Sequence, residues 1–230
     1  MTNKTKIIGI YAMTAVVSAL ILAVAFWVRG GLIEREKPLA INQGVKKVPV
    51  FFPIGADLGA TNQSGEKVKL SDLKGKVWVV GEFFAVCPHC ALRNGQELRE
   101  LIDTFSTNPD FHLTCISIDP ETDNVERLKE YASVLNADAK NWWFLTTGNT
   151  KVAHDYMDGT LKFFSVRERT EKADIESNGR FAHDLGLAVV NRKFEVVGKW
   201  PLAEARKADP LLYEKYKQEM YAKIREELAK

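Results

Sequence analysis

Cys87-Pro88-His89-Cys90 sets two thiols two residues apart, directly after the apolar run 77–84 and before a stretch of helical spacing. Two chemistries share that geometry. The pair can close a Cys87–Cys90 disulfide, or it can present two sulfurs to a soft metal ion. A thiol at a helix N-terminus has its thiolate favoured by unpaired backbone N–H groups and the helix dipole, which suits Cys87 to nucleophilic exchange with Cys90 as resolving thiol. Pro88 fits the first helical position, where its missing N–H costs nothing. His89 adds a positive influence that favours the thiolate and makes the disulfide more oxidising. A zinc site would call for a second ligand pair, which the chain lacks. A purely structural role is weak, because so short a loop removes little chain entropy.

The elements that must hold this pair follow from periodicity. Val77–Phe84 is apolar and β-prone apart from Gly81 and Glu82, as in a central strand covered on both faces. Leu92, Leu98, Leu101, Ile102 and Phe105 then recur at helical spacing, with Gly95 a point of weakness where the helix can kink. Phe111–Ile118 is the next strand, ended by Asp119-Pro120, where Asp119 can cap or turn the chain. Asp123 is placed to cap a helix with Val125, Leu128, Tyr131, Val134 and Leu135 on one face. Trp143–Thr146 gives a third strand, with Trp142 and Trp143 as core packing, and Lys151–Tyr156 a further helix start. The charged stretch Arg167–Arg180 is expected to be a mobile loop. Leu185–Asn191 and Phe194–Trp200 form a terminal hairpin. The expected fold is α/β and thioredoxin-like, with a mixed central sheet. Beyond it, Asp209 and Pro210 open a helix with Leu212, Tyr216, Met220, Ile224 and Leu228 on one stripe, suited to docking on the domain.

The ends of the chain bear on compartment. Ile7 to Val28 is free of charge over ~22 residues, about 33 Å as a helix, enough for a bilayer core. Trp27 suits an interfacial anchor, and the run is longer than a signal-peptide core. The expected organisation is a cytoplasmic tail (1–6), a transmembrane helix (7–28), a linker (29–47), the thioredoxin-like domain (48–202) and a C-terminal amphipathic helix (203–230). Lys4 and Lys6 set the amino end in the cytosol, against the opposing Arg29, Arg35 and Lys37. The domain then lies on the periplasmic side of a bacterial inner membrane, where disulfides persist. Three cysteines leave at least one unpaired within the chain, and Cys115, inside a strand pattern, suits a small buried hydrophobe. The net charge of +2, with both signs interspersed, argues against a nucleic-acid partner.

Five segments together are similar to the SCO/SenC family: Leu70-Ser71-Asp72-Leu73-Lys74-Gly75-Lys76, Phe84-Ala85-Val86-Cys87-Pro88, Ser117-Ile118-Asp119-Pro120-Glu121-Thr122-Asp123, Leu128-Lys129-Glu130-Tyr131-Ala132 and Trp143-Phe144-Leu145-Thr146. The resemblance covers about Pro49 to Lys199, and Ser-Ile-Asp-Pro-Glu-Thr-Asp is its most specific piece. It implies a membrane-tethered, copper-binding protein that assists assembly of the copper site of cytochrome c oxidase, by metal delivery or by reducing the client's cysteines. It implies copper, as Cu(I) or Cu(II), on Cys87, Cys90 and His183, with an oxidase subunit or another copper or thiol client as partner. Two thiolates and an imidazole form a plausible copper site on ligand softness. The family pair is CxxxC followed by Pro, whereas here it is one residue shorter and Ala91 follows Cys90. The family often has Asp before the histidine; here Ala182 precedes His183 and Asp184 follows it.

Cys-Pro-His-Cys is also the arrangement of DsbA-type thiol–disulfide oxidoreductases, so an enzyme reading stays open. Against it, no proline stands near Phe181-Ala182-His183-Asp184, where thioredoxin-type enzymes carry one. Peroxidase activity is excluded: a peroxiredoxin needs Thr or Ser three residues before its cysteine and Pro seven before, where this chain has Phe84 and Val80. Glu82, five residues before Cys87, is offset by one from the buried carboxylate of thioredoxins, and alternation turns it to the other sheet face. His112 and His154 are expected to be structural or surface residues.

Overall fold

Val77–Phe83 (β4) and Phe111–Ser117 (β5) are buried at every position, as expected of strands covered on both faces. They pair in parallel at the centre of an eight-stranded sheet in a computed structural model. The structure describes residues 13, 16–24, 52–85, 88–138 and 140–230, the side chains of 88–94, 177 and 178 excepted. The chain forms two compact units, Met1–Val45 and Lys46–Lys230. In the first, residues 13 and 16–24 are helical with exposed side chains. Among the described residues no helix is long and apolar enough to cross a membrane. The rest of the expected 7–28 span and the 29–47 linker lie outside the described residues.

The second unit carries the remaining strands β1 (Phe52–Pro53), β2 (Gly59–Asn62), β3 (Lys67–Lys69), β6 (Trp142–Thr146), β9 (Leu187–Val190) and β10 (Glu195–Trp200). The sheet order is β1-β10-β9-β4-β5-β6-β2-β3. β4, β5 and β6 are parallel and the other pairings antiparallel, so the sheet is mixed. A short pair, β7 (Arg167–Glu168) with β8 (Phe181–Ala182), stands apart.

Side-chain alternation divides the core. Val77, Val79 and Phe83 pack with Leu98, Leu101, Ile102 and Phe105 of helix α1 (Pro88–Phe105), while Trp78 and Val80 pack in a second cluster on the other face. Helix α1 runs unbroken through Gly95, whose absent Cβ would lie 2.8 Å from Leu135 Cδ2; the glycine serves close helix packing rather than a kink. Trp142 is fully buried, as core packing requires. Helix α2 (Val125–Val134) is capped by Asn124, whose Oδ1 accepts Arg127 N–H at 3.0 Å, and not by Asp123. Helix α3 (Thr150–Asp155) follows β6 and runs into a π-turn at Tyr156–Thr160.

Arg167–Arg180 is not the loop its composition suggests. It forms β7, helix α4 (Lys172–Asn178) and the approach to β8. Its charges pair within the segment: Arg180 meets Glu168 at 2.7 Å and Arg169 meets Asp174 at 3.1 Å, while Arg169 also donates to the carbonyl of Phe181. Phe181 then anchors the segment on Phe84 and Ile118. After β10 come α5 (Leu202–Ala208) and α6 (Pro210–Leu228). Asp209 Oδ1 accepts Leu211 N–H at 2.8 Å, and Pro210 takes the first helical position. Met220, Tyr221 and Ile224 sink into the cluster that holds Val79 and Val189, so α6 docks on the sheet.

Candidate metal and thiol site

Three parts of the chain meet at one edge of the sheet. β4 and β5 end together, with Phe83 opposite Ser117. β9 is antiparallel to β4, so its first residue, Leu187, lies beside Gly81 near the same end. The turn that leads to Cys87, the Ser117–Asp123 turn and the 183–186 loop therefore share the edge where open α/β sheets place ligands. Gly81 makes this possible, because a Cβ there would lie 2.7 Å from Leu187 Cδ2.

Asp123 holds the approach to the cysteines. Its Oδ2 and Oδ1 accept Ala85 N–H at 3.0 and 3.2 Å, and Oδ2 also accepts the Ser117 hydroxyl at 2.6 Å. Burial pushes its carboxyl up in pKa, opposed by the Ser117 and Ala85 hydrogen bonds. The sequence pattern assigns Asp123 to the following helix; the structure turns it inward and leaves the cap to Asn124. Asp119 turns the chain as expected, its carbonyl accepting Thr122 and Asp123 N–H. Cys90 falls in the first turn of α1. Cys87 and the side chains of His89 and Cys90 lie outside the described residues, so the Cys87–Cys90 disulfide and the two sulfur ligands do too.

His183 sits between β8 and β9 with its side chain 4% exposed. Its ring packs edge-on against Phe84, with centroids 5.5 Å apart. Nδ1 lies 2.9 Å from the Asp184 carbonyl and 3.5 Å from Glu82 Oε2. A carbonyl only accepts, so this hydrogen bond puts a proton on Nδ1, which in the neutral ring leaves the lone pair on Nε2. A neutral imidazole with a free Nε2 is the form that binds a metal, and the Nδ1 contact is compatible with the ligand role that the family resemblance implies for His183. Among the described residues, no three His, Cys, Asp or Glu side chains are grouped to hold a metal.

Glu82 is the residue whose place sequence reasoning missed. Alternation turns it from the α1 face, yet its side chain is fully buried and reaches the 183–186 loop, where Oε2 accepts Asp184 N–H at 2.9 Å. Burial raises its pKa, opposed by His183. Asp184 locks the loop in turn: Oδ1 accepts Gly186 N–H at 2.8 Å, Oδ2 accepts Phe164 N–H at 3.0 Å, and Lys199 pairs with Oδ2. A cavity of about 20 Å³ lies beneath, lined in part by Glu82, Glu97, Cys115, Tyr131 and His183. Cys115 is the buried hydrophobe its strand pattern predicts, its thiol pushed up to about 12 by burial. Glu97 is buried against Arg206 of α5 at 2.6 Å. His154 bonds the Ile118 carbonyl at 2.7 Å and is structural. His112 is buried, with no hydrogen-bond partner for either ring nitrogen among the described residues.

The SCO1/SenC family model matches residues 51–220. The chain belongs to the SCO1/SenC family. A SCO1 protein homolog of Bacillus subtilis is 33% identical over 86 residues, which is 37% of this chain and 45% of that relative, so the match spans under half the relative's length. A SCO2-like protein of Rickettsia typhi is 27% identical over 176 residues, covering 76% of this chain and 82% of the relative. Among solved structures, a SCO1/SenC family lipoprotein from Bacillus anthracis aligns with a TM-score of 0.57 at 22% identity, covering 77% of this chain and 96% of that one. The copper-bound ScoI of Bradyrhizobium japonicum aligns at 0.53 and 19% identity, covering 72% and 98%. These likenesses establish the thioredoxin-like SCO fold with its mixed sheet.

Proposed function

We propose that this SCO/SenC protein binds copper as cargo through the thiolates of Cys87 and Cys90 and Nε2 of His183, and serves the copper site of a cytochrome c oxidase subunit. Residues 7–28 would anchor it in the inner membrane, with the domain on the periplasmic side. The observation that carries this reading is the packing of His183 on Phe84, three residues before Cys87 in the chain. Family membership supports it, as does the copper bound by the Bradyrhizobium japonicum relative.

The residues divide the work. Thiolates suit Cu(I), and an imidazole nitrogen binds either oxidation state. Asp123 steadies the turn before Cys87, and the Asp184 carbonyl faces Nδ1, the ring nitrogen opposite the proposed ligand atom. Thiol maintenance uses the same pair. Cys87 attacks a client disulfide, Cys90 releases the mixed disulfide, and the client gains two electrons and two protons as the Cys87–Cys90 bond closes. The Cys-Pro-His-Cys spacing is what keeps a dedicated oxidoreductase as the second reading.

Reduced full-length protein in detergent, titrated with copper against a chelator, tests the proposal. Wild type is expected to bind one equivalent, and His183→Ala and Cys90→Ser to lose tight binding. No binding above background, together with Cys87-dependent disulfide exchange, would replace the copper reading by the oxidoreductase one.

A further inference from the structure

A carboxylate buried in a sheet without full pairing is costly, so its retention calls for a physical reason. Glu82 is such a group. Its side chain is fully buried in β4, and Oε1 has no hydrogen-bond partner among the described residues. Its other oxygen makes contacts that bear directly on His183. Oε2 accepts Asp184 N–H at 2.9 Å and lies 3.5 Å from His183 Nδ1. The hydrogen bond joins residues 102 positions apart in sequence.

We propose that Glu82 is the positioning residue for His183, tying the histidine loop to the strand that leads into the cysteine pair and holding the imidazole with Nε2 free. The proposal rests on the copper reading above for its consequence, not for its geometry.

The Asp184 carbonyl cannot do this alone. It belongs to the same loop as His183, so it sets the ring locally but not the loop's place relative to β4. Glu82 belongs to β4, which is hydrogen-bonded on both edges, to β5 and to β9, and is therefore a rigid support. Asp184 is committed elsewhere: its side chain holds Gly186, Phe164 and Lys199 and leaves the imidazole to others. Phe84 closes the ring's side edge-on. With Glu82 replaced by an apolar side chain of similar length, Asp184 N–H loses its acceptor inside the protein, and the loop and the ring lose their link to β4. A glutamine keeps an acceptor oxygen at the same reach, and so should keep the link.

The test is the imidazole ¹H–¹⁵N spectrum of ¹⁵N-labelled full-length apoprotein at high pH, in wild type, Glu82→Met and Glu82→Gln. The chain has four histidines, so a His183→Gln control identifies the signal. Wild type should show His183 as one tautomer protonated at Nδ1. Glu82→Met should add the second tautomer, and Glu82→Gln should restore the single one. In proteins that bind copper, Glu82→Met should weaken binding by about 10–100-fold, the usual effect of removing a partner behind a ligand. A wild-type ring protonated at Nε2 overturns the proposal even if Glu82→Met fails to fold. So does an unchanged tautomer, or unchanged copper affinity, in folded Glu82→Met. Wild type that binds no copper yet shows the expected tautomers would remove the copper reading and leave the role of Glu82 standing.

Discussion

At the residue scale, burial decides which side chains keep their ordinary chemistry. His112 is buried beside Trp143, and burial lowers its pKa to about 3 from 6.5. The unfolded chain therefore binds a proton below about pH 6.5 that the folded protein refuses, and stability falls as pH drops through that window at up to ~1.4 kcal/mol per unit. Buried Glu97 and Asp123, whose pKa values are raised, act in the opposite sense, so the comparison must be between variants. Urea unfolding at about pH 5 and at about pH 7.5 should show wild type losing ~2 kcal/mol more than His112→Leu. Equal losses would mean that His112 is not held neutral in the fold. Asp123→Ala strands Ala85 N–H and the Ser117 hydroxyl, which should cost about 1–3 kcal/mol. It should also speed amide exchange at Ala85 more than global stability accounts for; exchange that merely follows global stability would deny Asp123 its hold on the turn.

At the element scale, the pattern of apolar residues carries most of the architecture. The strands around Val77–Phe83 and Phe111–Ser117, the helix that begins at Pro88 and the Asp209-Pro210 start of α6 were all legible, because burial along one element leaves a period in the sequence. Three features were not. Glu82 meets the 183–186 loop, Asp123 turns back to Ala85, and Arg167–Arg180 folds through its own charge pairs. Each depends on hydrogen bonds or ion pairs that leave no apolar period, and the first two join distant segments. His183 is singled out by resemblance and by its place before a strand; which ring nitrogen faces the Asp184 carbonyl needed coordinates. The docking of α6 gives a sharp contrast. Ile224 is fully buried and Leu211 is 80% exposed, so Ile224→Ala should cost about 2–5 kcal/mol in denaturant unfolding and Leu211→Ala close to nothing. Equal effects would mean that the helix does not pack by this face.

At the scale of the molecule, the sheet's direction rules explain why segments distant in sequence meet at one end of the sheet. Parallel β4 and β5 end together and antiparallel β9 begins there, so the residues before Cys87, the Ser117–Asp123 turn and His183 converge without long loops. The shortened Cys-Pro-His-Cys spacing puts its demand on the proposed copper site: two sulfurs and one imidazole would have to reach one ion. X-ray absorption at the copper edge of the copper-loaded full-length protein measures this directly. The proposed ligand set requires two sulfur neighbours and one nitrogen neighbour in wild type, with the nitrogen lost in His183→Ala. A site of sulfur alone, or one unchanged in His183→Ala, would contradict it.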